Sequence, residues 1–525
     1  MTAGLRQPRR LGLLLLALLV GCTDSVTALR VVVARKTPQI DELVVYGWVD
    51  GALRVAGRRF TLPSDDLQGD LVLLFPDSDA GKPASLTIEG HTLGALAAWV
   101  SVDATLRRGE TVEVTARLGW DPDGGVDTGP DASCLGSRCQ GDDLVGCADA
   151  GLVTTSCPLG CVEQPVARCR RLVPSNGVAF TLTSPEDLVL PAGAAVFINT
   201  STGKISGTIA APAMFQVPQA GAPTITVFVF RSINIGPTAI VKATGANALA
   251  LLSEGPIVLD GLLDGSASGI AGGPGGGRGA DLQAGATGPG AGLDGKYDSG
   301  GGFAGGGGGG SHAAAGGAGG AGGTVSGGVA KPFSLVETLE PLLGGSGGGR
   351  GGRGGTAINA GRGGGGGGAV QIVSGTSISI GGGINVGGEG GKVNNNILCG
   401  GGGAGSGGSI LLEAPAVSLH TATLAANGGG GAGGSATGGA VAGASGDLSA
   451  GVAKGGAGTP ATGGDGGAGG AKKGPKGKNG IGALEAGGGG GGGLGAVRIN
   501  TRTGSAEPSG AVISAQVSWG KVKTK

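Results

Sequence analysis

Glycine is the feature that most constrains this chain, because it makes up 125 of the 525 residues and is concentrated in unbroken tracts. In the stretch GGGGGGAVQIVSG, at 363–375, a polyglycine run leads directly into alternating apolar residues. Glycine loses more conformational freedom on folding than any other residue, whereas the alternation of Val370 and Ile372 predicts a half-buried strand. A fold for this chain must therefore accommodate glycine tracts and sheet-forming segments side by side.

Four strand-like blocks recur in the second half, beginning at Ala248, Ala369, Ser409 and Ala496. Apolar positions repeat at matching intervals in the first two blocks: Leu249, Ile257 and Leu263 correspond to Val370, Ile378 and Ile384. Short strands at such a rung-like spacing, joined by tight turns, are typical of a parallel β-helix. We therefore predict a β-helix-like solenoid over 173–525, with the glycine tracts as insertions that all leave on one side.

Two alternative conformations are consistent with the sequence of the glycine tracts. One is disorder, which their composition favours. The other is packed polyproline II helix, in which three residues make one turn, so that a glycine at every third position leaves an edge where backbones can touch. The threefold phase is visible locally in GGAGGAGG at 316–323. In composition the tracts resemble snow-flea antifreeze proteins and the glycine-rich region of anaplastic lymphoma kinase receptors, and ice binding is a minor hypothesis.

The N-terminus reads as a targeting segment. Three arginines precede an apolar run from Leu11 to Val20 that is too short to span a bilayer, so residues 1–21 are predicted to be a signal peptide. The ending Leu19-Val20-Gly21-Cys22 resembles the bacterial lipobox. That resemblance implies that Cys22 becomes the acylated N-terminus, and Thr23 in place of aspartate favours the outer membrane.

Seven short β-patterned runs, separated by turn-forming residues, fill the next segment. They predict an immunoglobulin-like β-sandwich over 22–119. Trp48 and Trp99 lie in the middle of two of these runs, and we interpret them as core aromatics, with a sugar-stacking platform as the alternative.

An acidic Gly/Pro linker at 120–133 precedes a cysteine-rich segment at 134–172. The linker carries spaced aspartates but lacks the closing glutamate of a calcium loop, so we expect a solvated linker. Cysteines in an exported chain favour disulfides over zinc, for which CxxC pairs are missing. We predict three disulfides of open connectivity among six cysteines: Cys134, Cys139, Cys147, Cys157, Cys161 and Cys169. Cys399 is then left as a buried free thiol.

Charge and motifs exclude several functions. Lys plus Arg and Asp plus Glu are both 37, so the basic excess of a nucleic-acid-binding protein is missing. GxGxxG is uninformative in this composition, and we predict no cofactor and no metal site. Asp260 and Asp264 are the carboxylates that a polysaccharide-cleaving β-helix would use, but each precedes glycine, which indicates a turn.

The layout of lipobox, small sandwich, cysteine module and glycine-tract coils resembles a group of glycine-rich surface lipoproteins of myxobacteria. This resemblance implies a lipid-anchored protein of the outer membrane or cell surface with a structural, adhesive or matrix-binding role. Its expected partners are the membrane, extracellular polysaccharide or other surface proteins, and no nucleic acid. The alternative is a polysaccharide lyase or hydrolase built on a β-helix.

Overall fold

A computed structural model describes most of the chain and divides it into two compact units. The first unit comprises Met1–Ser137 with the short stretches Gly146–Leu152 and Gln164–Val166, and the second comprises the remainder. The described residues are 3–6, 27–35, 40, 42–50, 52–61, 68–92, 95–118, 137–148, 151–163, 167–180, 186–207, 212–298, 300, 302–354, 359–394 and 397–525.

The first unit is built from two four-stranded sheets. Its strands are β1 (Ala3–Arg6), β2 (Thr27–Arg35), β3 (Glu42–Val49), β4 (Ala52–Thr61), β5 (Gln68–Phe75), β6 (Pro83–Thr92), β7 (Ala95–Thr105) and β8 (Thr111–Leu118), with a 3₁₀ turn at Asp77–Asp79. One sheet has the order β1-β5-β2-β8 and the other the order β4-β3-β6-β7. The pairs are antiparallel except for β2 and β8. Each of the seven β-patterned runs forms one of the strands β2–β8.

The alternation of apolar residues along these strands builds one core. Leu29 and Val31 of β2, Leu43 and Val45 of β3 and Leu86 of β6 are all fully buried and belong to a single apolar cluster. Burying such side chains is worth about 1.5–3 kcal/mol each. No disulfide holds these described strands together, so packing is the main stabilising term.

The core interpretation of Trp48 is wrong. Leu43, Val45 and Val49 of β3 enter the apolar cluster, whereas Trp48 does not and is only half-buried. Successive strand residues point to opposite sheet faces. Because Leu43, Val45 and Val49 point inward, Tyr46 and Trp48 lie on the opposite face. The side chain of Trp99 lies outside the described residues.

The cysteine-rich segment contains six short strands: β9 (Arg138–Gln140), β10 (Asp143–Ala148), β11 (Gly151–Ser156), β12 (Cys161–Val162), β13 (Arg168–Cys169) and β14 (Leu172–Val173). Disulfides join Cys139 to Cys161 and Cys157 to Cys169, with Cα–Cα separations of 5.6 and 5.1 Å. Much of this segment belongs to the second unit, where β14 pairs with the C-terminal strand.

The rest of the second unit is dominated by parallel sheets. Its strands are β15 (Leu188–Leu190), β16 (Ala195–Asn199), β17 (Lys204–Ser206), β18 (Ala213–Gln219), β19 (Ala222–Phe230), β20 (Ile233–Ile235), β21 (Ile240–Thr244), β22 (Ala248–Ser253), β23 (Ile257–Leu259), β24 (Leu262–Asp264), β25 (Ala369–Ser374), β26 (Ser377–Ile380), β27 (Gly383–Asn385), β28 (Ser409–Glu413), β29 (Ala416–His420), β30 (Thr423–Ala425), β31 (Ala496–Thr501), β32 (Glu507–Ser509), β33 (Val512–Ser514), β34 (Gln516–Lys521) and β35 (Lys523–Thr524).

Most of these strands belong to three sheets. Sheet I has the order β18-β19-β22-β25-β28-β31-β34, sheet II the order β15-β20-β23-β26-β29-β32, and sheet III the order β17-β16-β21-β24-β27-β30-β33. The chain visits sheets I, II and III once in each round, and successive rounds pair in parallel. The antiparallel strands β17 and β18 cover the first edges of sheets III and I, which shields those edges from pairing with other chains.

The register reproduces the repeat seen in the sequence. Leu249 pairs with Val370, which pairs with Ile410. Ile257 pairs with Ile378, and Leu263 pairs with Ile384. These residues from all three sheets lie in one buried cluster, so each round stacks its apolar residues on those of the round before.

The glycine tracts are ordered insertions between sheet III and sheet I. They occupy 265–368, 386–408 and 426–495, and most of the glycines that the structure describes there are buried. Their backbone hydrogen bonds have a period of three residues, which is the repeat of the polyproline II helix. Successive N–H groups of residues 305–310 donate in turn to three neighbouring segments at 2.8–2.9 Å: Gly305 to Lys296, Gly306 to Gly320, Gly307 to Gly401, Gly308 to Leu293, Gly309 to Gly317 and Gly310 to Ala404.

Three tract segments form the centre of this network, and we call them the central triad: 304–310, 401–407 and 487–493. The N–H of Gly307 donates to Gly401, that of Gly401 donates to Gly487, and that of Gly487 donates back to Ala304. The same pattern repeats three residues further on, so the three segments run in the same direction and close a cycle of hydrogen bonds.

Close approach of the backbones is what requires glycine here. A Cβ atom added to Gly490 would lie 2.0 Å from the carbonyl oxygen of Gly317. Both groups are backbone, so neither can move aside as a flexible side chain would.

We predict that Gly490→Ala destabilises the second unit by about 3 kcal/mol or more, the upper range for overpacking. Thermal unfolding should show a lower midpoint, and amide exchange of 304–310 and 401–407 should accelerate. Gly474→Ala is the control, because a Cβ there meets nothing within 4 Å. Equal stability of the two variants, or fast exchange of the central triad in the native chain, would contradict the packed arrangement.

Candidate functional site

Several predicted site residues fall outside the described part of the chain. Cys22, the linker at 120–133 and Cys134 are not described. Cys147 lies in β10, but its side chain is likewise outside the description. The lipidation of Cys22 and a third disulfide therefore stay predictions. Cys399 is a buried free thiol whose Sγ–H donates to the carbonyl of Asn359 at 3.1 Å, and burial raises its pKa to about 11.

The two carboxylates considered for polysaccharide cleavage have different environments. Asp264 forms a 2.8 Å ion pair with Lys242 and accepts the N–H of Ser266 at 3.0 Å. The backbone N–H of Asp260 is bound to the carbonyl of Ile235 in the turn between β23 and β24. Among the described residues, no group of three or more His, Cys, Asp or Glu side chains is placed to hold a metal ion.

A buried carboxylate lies on the outer face of sheet I. Glu413 is 1% exposed and accepts hydrogen bonds from the N–H and hydroxyl of Ser175, at 3.0 and 2.8 Å. The side-chain amides of Gln371 and Asn500, on the two flanking strands, donate to it at 2.8 and 3.2 Å. Four donors replace the water that this carboxylate loses, so the cluster fastens the segment that follows β14 onto the sheet.

A buried histidine lies at the junction of a glycine tract and sheet I. His312 Nε2 is 2.8 Å from the hydroxyl of Ser409, the first residue of β28, and the ring stacks on Phe333 at a centroid distance of 6.2 Å. Its Nδ1 has no hydrogen-bond partner in the described part of the chain. Burial lowers the pKa of His312 to about 4, so the ring is neutral at physiological pH.

A candidate binding surface lies on the first unit. Tyr46 and Trp48 of β3 are half-buried, and their rings stack with centroids 6.4 Å apart and planes 24° from parallel. In register beside Trp48 lie Ser85 of β6 and then Asp103 of β7. An open hollow of about 550 Å³ is lined in part by these three residues and Thr105. Aromatic faces with adjacent hydroxyl and carboxylate groups suit a ligand that has both apolar and hydroxylated surfaces.

Sequence reasoning missed three of these features. Gln371 alternates with Val370 and Ile372, so a half-buried strand would leave it exposed, and no pattern in the sequence marks Gln371 or Glu413 as buried. His312 follows a glycine tract and carries no local pattern. The outward position of Trp48 follows from its alternation with Val45 and Val49.

No protein-family model, no curated protein sequence and no solved structure matches the chain. Within the described ranges, none of the helices has the length and apolar character needed to cross a bilayer.

We predict that stability depends on pH through His312. The unfolded ring takes up a proton near pH 6.5, whereas the folded ring stays neutral to about pH 4. The unfolded state therefore binds more protons in this window, and unfolding becomes easier by about 3 kcal/mol as pH falls from 6.5 to 4. In denaturant unfolding, the free energy of unfolding of the native chain should fall by that amount more than the free energy of unfolding of His312→Gln between pH 6.5 and 4. Exposed His420→Gln is the control, and parallel pH profiles for native and His312→Gln would contradict the prediction.

Proposed function

We propose that this chain is a lipid-anchored protein of the outer cell envelope that binds extracellular matrix without catalysis. The anchor rests on the lipobox-like ending at Cys22. Its processing would remove β1, which precedes that cysteine, and leave β5 as the edge of its sheet. An acyl chain contributes about 0.8 kcal/mol of membrane affinity per buried methylene, and two chains anchor stably.

The finer architecture is part of the same proposal. The first unit is an immunoglobulin-like sandwich, and the three parallel sheets of the second unit form a β-helix. The glycine tracts are a bundle of polyproline II helices beside it. The threefold period of the tract hydrogen bonds supports this assignment.

One observation carries the matrix-binding role, namely the stacked pair Tyr46 and Trp48 on an outward sheet face. Asp103 and Ser85, which lie beside Trp48, make no side-chain hydrogen bond within the described residues, so both can bind ligand hydroxyls. A sugar ring offers an apolar face for an aromatic side chain and a rim of hydroxyls for such neighbours, so extracellular polysaccharide is the partner that fits. The environments of Asp260 and Asp264 give no support to the alternative of a polysaccharide-cleaving enzyme.

Surface display can be tested by protease shaving of intact cells. We expect added protease to degrade the native protein on intact cells, because the anchored chain faces outward. We expect Cys22→Ala to be missing from the membrane fraction, because it lacks the acylation site. A periplasmic marker that stays intact is the control for cell integrity. Protection of the native protein would refute surface display.

Matrix binding can be tested by affinity electrophoresis in gels that contain purified exopolysaccharide of the producing cells. We expect Trp48→Ala to lower the apparent affinity about tenfold, which corresponds to about 1.4 kcal/mol. Tyr297→Ala is the matched control, because Tyr297 is an exposed aromatic side chain that lies in the second unit. Unchanged migration of native protein in these gels, or equal effects of the two variants, would contradict the proposal.

A further inference from the structure

A polar cleft opens on the glycine-rich part of the second unit. Its volume is about 460 Å³, and its walls include Asp281, Leu282, Gln283, Asn359, Arg362 and Asn394. Residues 281–283 and 359–362 belong to the tract that enters β25, and Asn394 belongs to the next tract, at 386–408. The cleft shares no residue with the aromatic surface of the first unit.

Three polar side chains in this cleft are uncommitted. The amides of Gln283 and Asn359 and the guanidinium of Arg362 make no side-chain hydrogen bond or ion pair with any described residue. Converging polar groups of this kind in a concave site are typical of ligand recognition.

Hydrogen bonds hold the walls of the cleft in place. The carboxylate of Asp281 accepts the N–H groups of Gln283 and Ala284 at 2.9 and 3.0 Å and pairs with Arg278. The N–H of Gly363 donates to Ala280 at 2.8 Å, which joins the two main walls. The buried Cys399 thiol donates to the backbone carbonyl of Asn359 at 3.1 Å. The uncommitted groups therefore stand on backbone that is already ordered.

The cleft carries one positive charge that no neighbouring carboxylate balances, that of Arg362. Burial acts to raise the pKa of Asp281, but the N–H groups of Ala284 and Gln283 and the Arg278 guanidinium hold it below its usual value, so Arg278 and Asp281 neutralise each other. Lys392, next to the cleft residue Val393, is paired with Glu389. Arg362 alone is left to meet an anion.

We propose that this cleft binds a carboxylate-bearing sugar, as found in acidic polysaccharides. Arg362 would bind the carboxylate through two parallel N–H···O bonds, the geometry that a guanidinium offers to this group. Gln283 and Asn359 would bind ring hydroxyls, and Leu282, which is 48% exposed, would cover the apolar face of the ring. A phosphate fits less well, because it carries a charge of about −1.5 to −2 against one cation.

This inference rests on the matrix-binding function, since it names a class of matrix component for a second site. The test is titration calorimetry of the full chain in detergent micelles with a galacturonic acid trimer, and with maltotriose as the neutral control. We expect the acidic trimer to bind and maltotriose not to bind. We expect Arg362→Gln to weaken binding of the trimer at least fivefold and Gln283→Ala to weaken it about threefold.

Lys476→Gln is the matched control, because it removes one exposed positive charge of the bundle that does not line the cleft. An unchanged thermal unfolding midpoint for Arg362→Gln would show that its loss of binding is not a loss of fold. No binding of the acidic trimer, a smaller effect of Arg362→Gln, or an equal effect of Lys476→Gln would overturn the proposal. Displacement of the trimer by an equal concentration of inorganic phosphate would overturn the sugar class.

A further titration with monomeric galacturonic acid distinguishes a polymeric ligand from a single sugar acid. Tighter binding of the trimer would identify a polymer as the ligand, and equal binding would identify a single sugar acid. Trp48→Ala separates this proposal from the first one. If Trp48→Ala abolishes binding of the acidic trimer, the cleft is not the site. If polysaccharide binding in gels fails while the trimer still binds in an Arg362-dependent way, only the role of the aromatic surface is wrong.

Discussion

Backbone hydrogen bonds between glycine tracts are the interaction on which the second unit depends. A buried peptide group must find a partner, and here successive N–H groups find partners on three different neighbours in turn. In the central triad these bonds form a cycle of three segments: 304–310 donates to 401–407, which donates to 487–493, which donates to 304–310. Side chains contribute little to this part of the molecule, so the usual apolar core is replaced by a network of main-chain contacts.

The three sheets and the tracts support each other through their shared ends. Each tract leaves after a strand of sheet III and re-enters at a strand of sheet I, and the register of the strands fixes where every tract begins and ends. Sheet I is buried on both faces, since one face meets the other two sheets and the second meets Leu172, Leu339 and Leu342. The buried Glu413 and its four donors lie on that second face, where a precise polar contact adds specificity to apolar packing.

The sequence predicted the strands better than it predicted the tracts. The matching intervals of Leu249, Ile257 and Leu263 gave the register correctly, because apolar residues that stack between rounds must recur at fixed spacing. The tract network could not be derived, because polyglycine carries no side-chain pattern to say which segment faces which. The two disulfides show the same limit, since cysteine spacing leaves the pairing open. The burial of His312 and Glu413 depends on long-range contacts, and the cleft at Arg362 joins residues that are far apart in the chain.

The central triad also has a consequence for the order of events in folding. Its third member, 487–493, is synthesised well after the other two, so the cycle of hydrogen bonds cannot close until residue 493 has emerged. Contacts this distant in sequence form slowly. Until then the tracts have too few large apolar side chains to collapse on themselves, so they stay soluble while the network is incomplete.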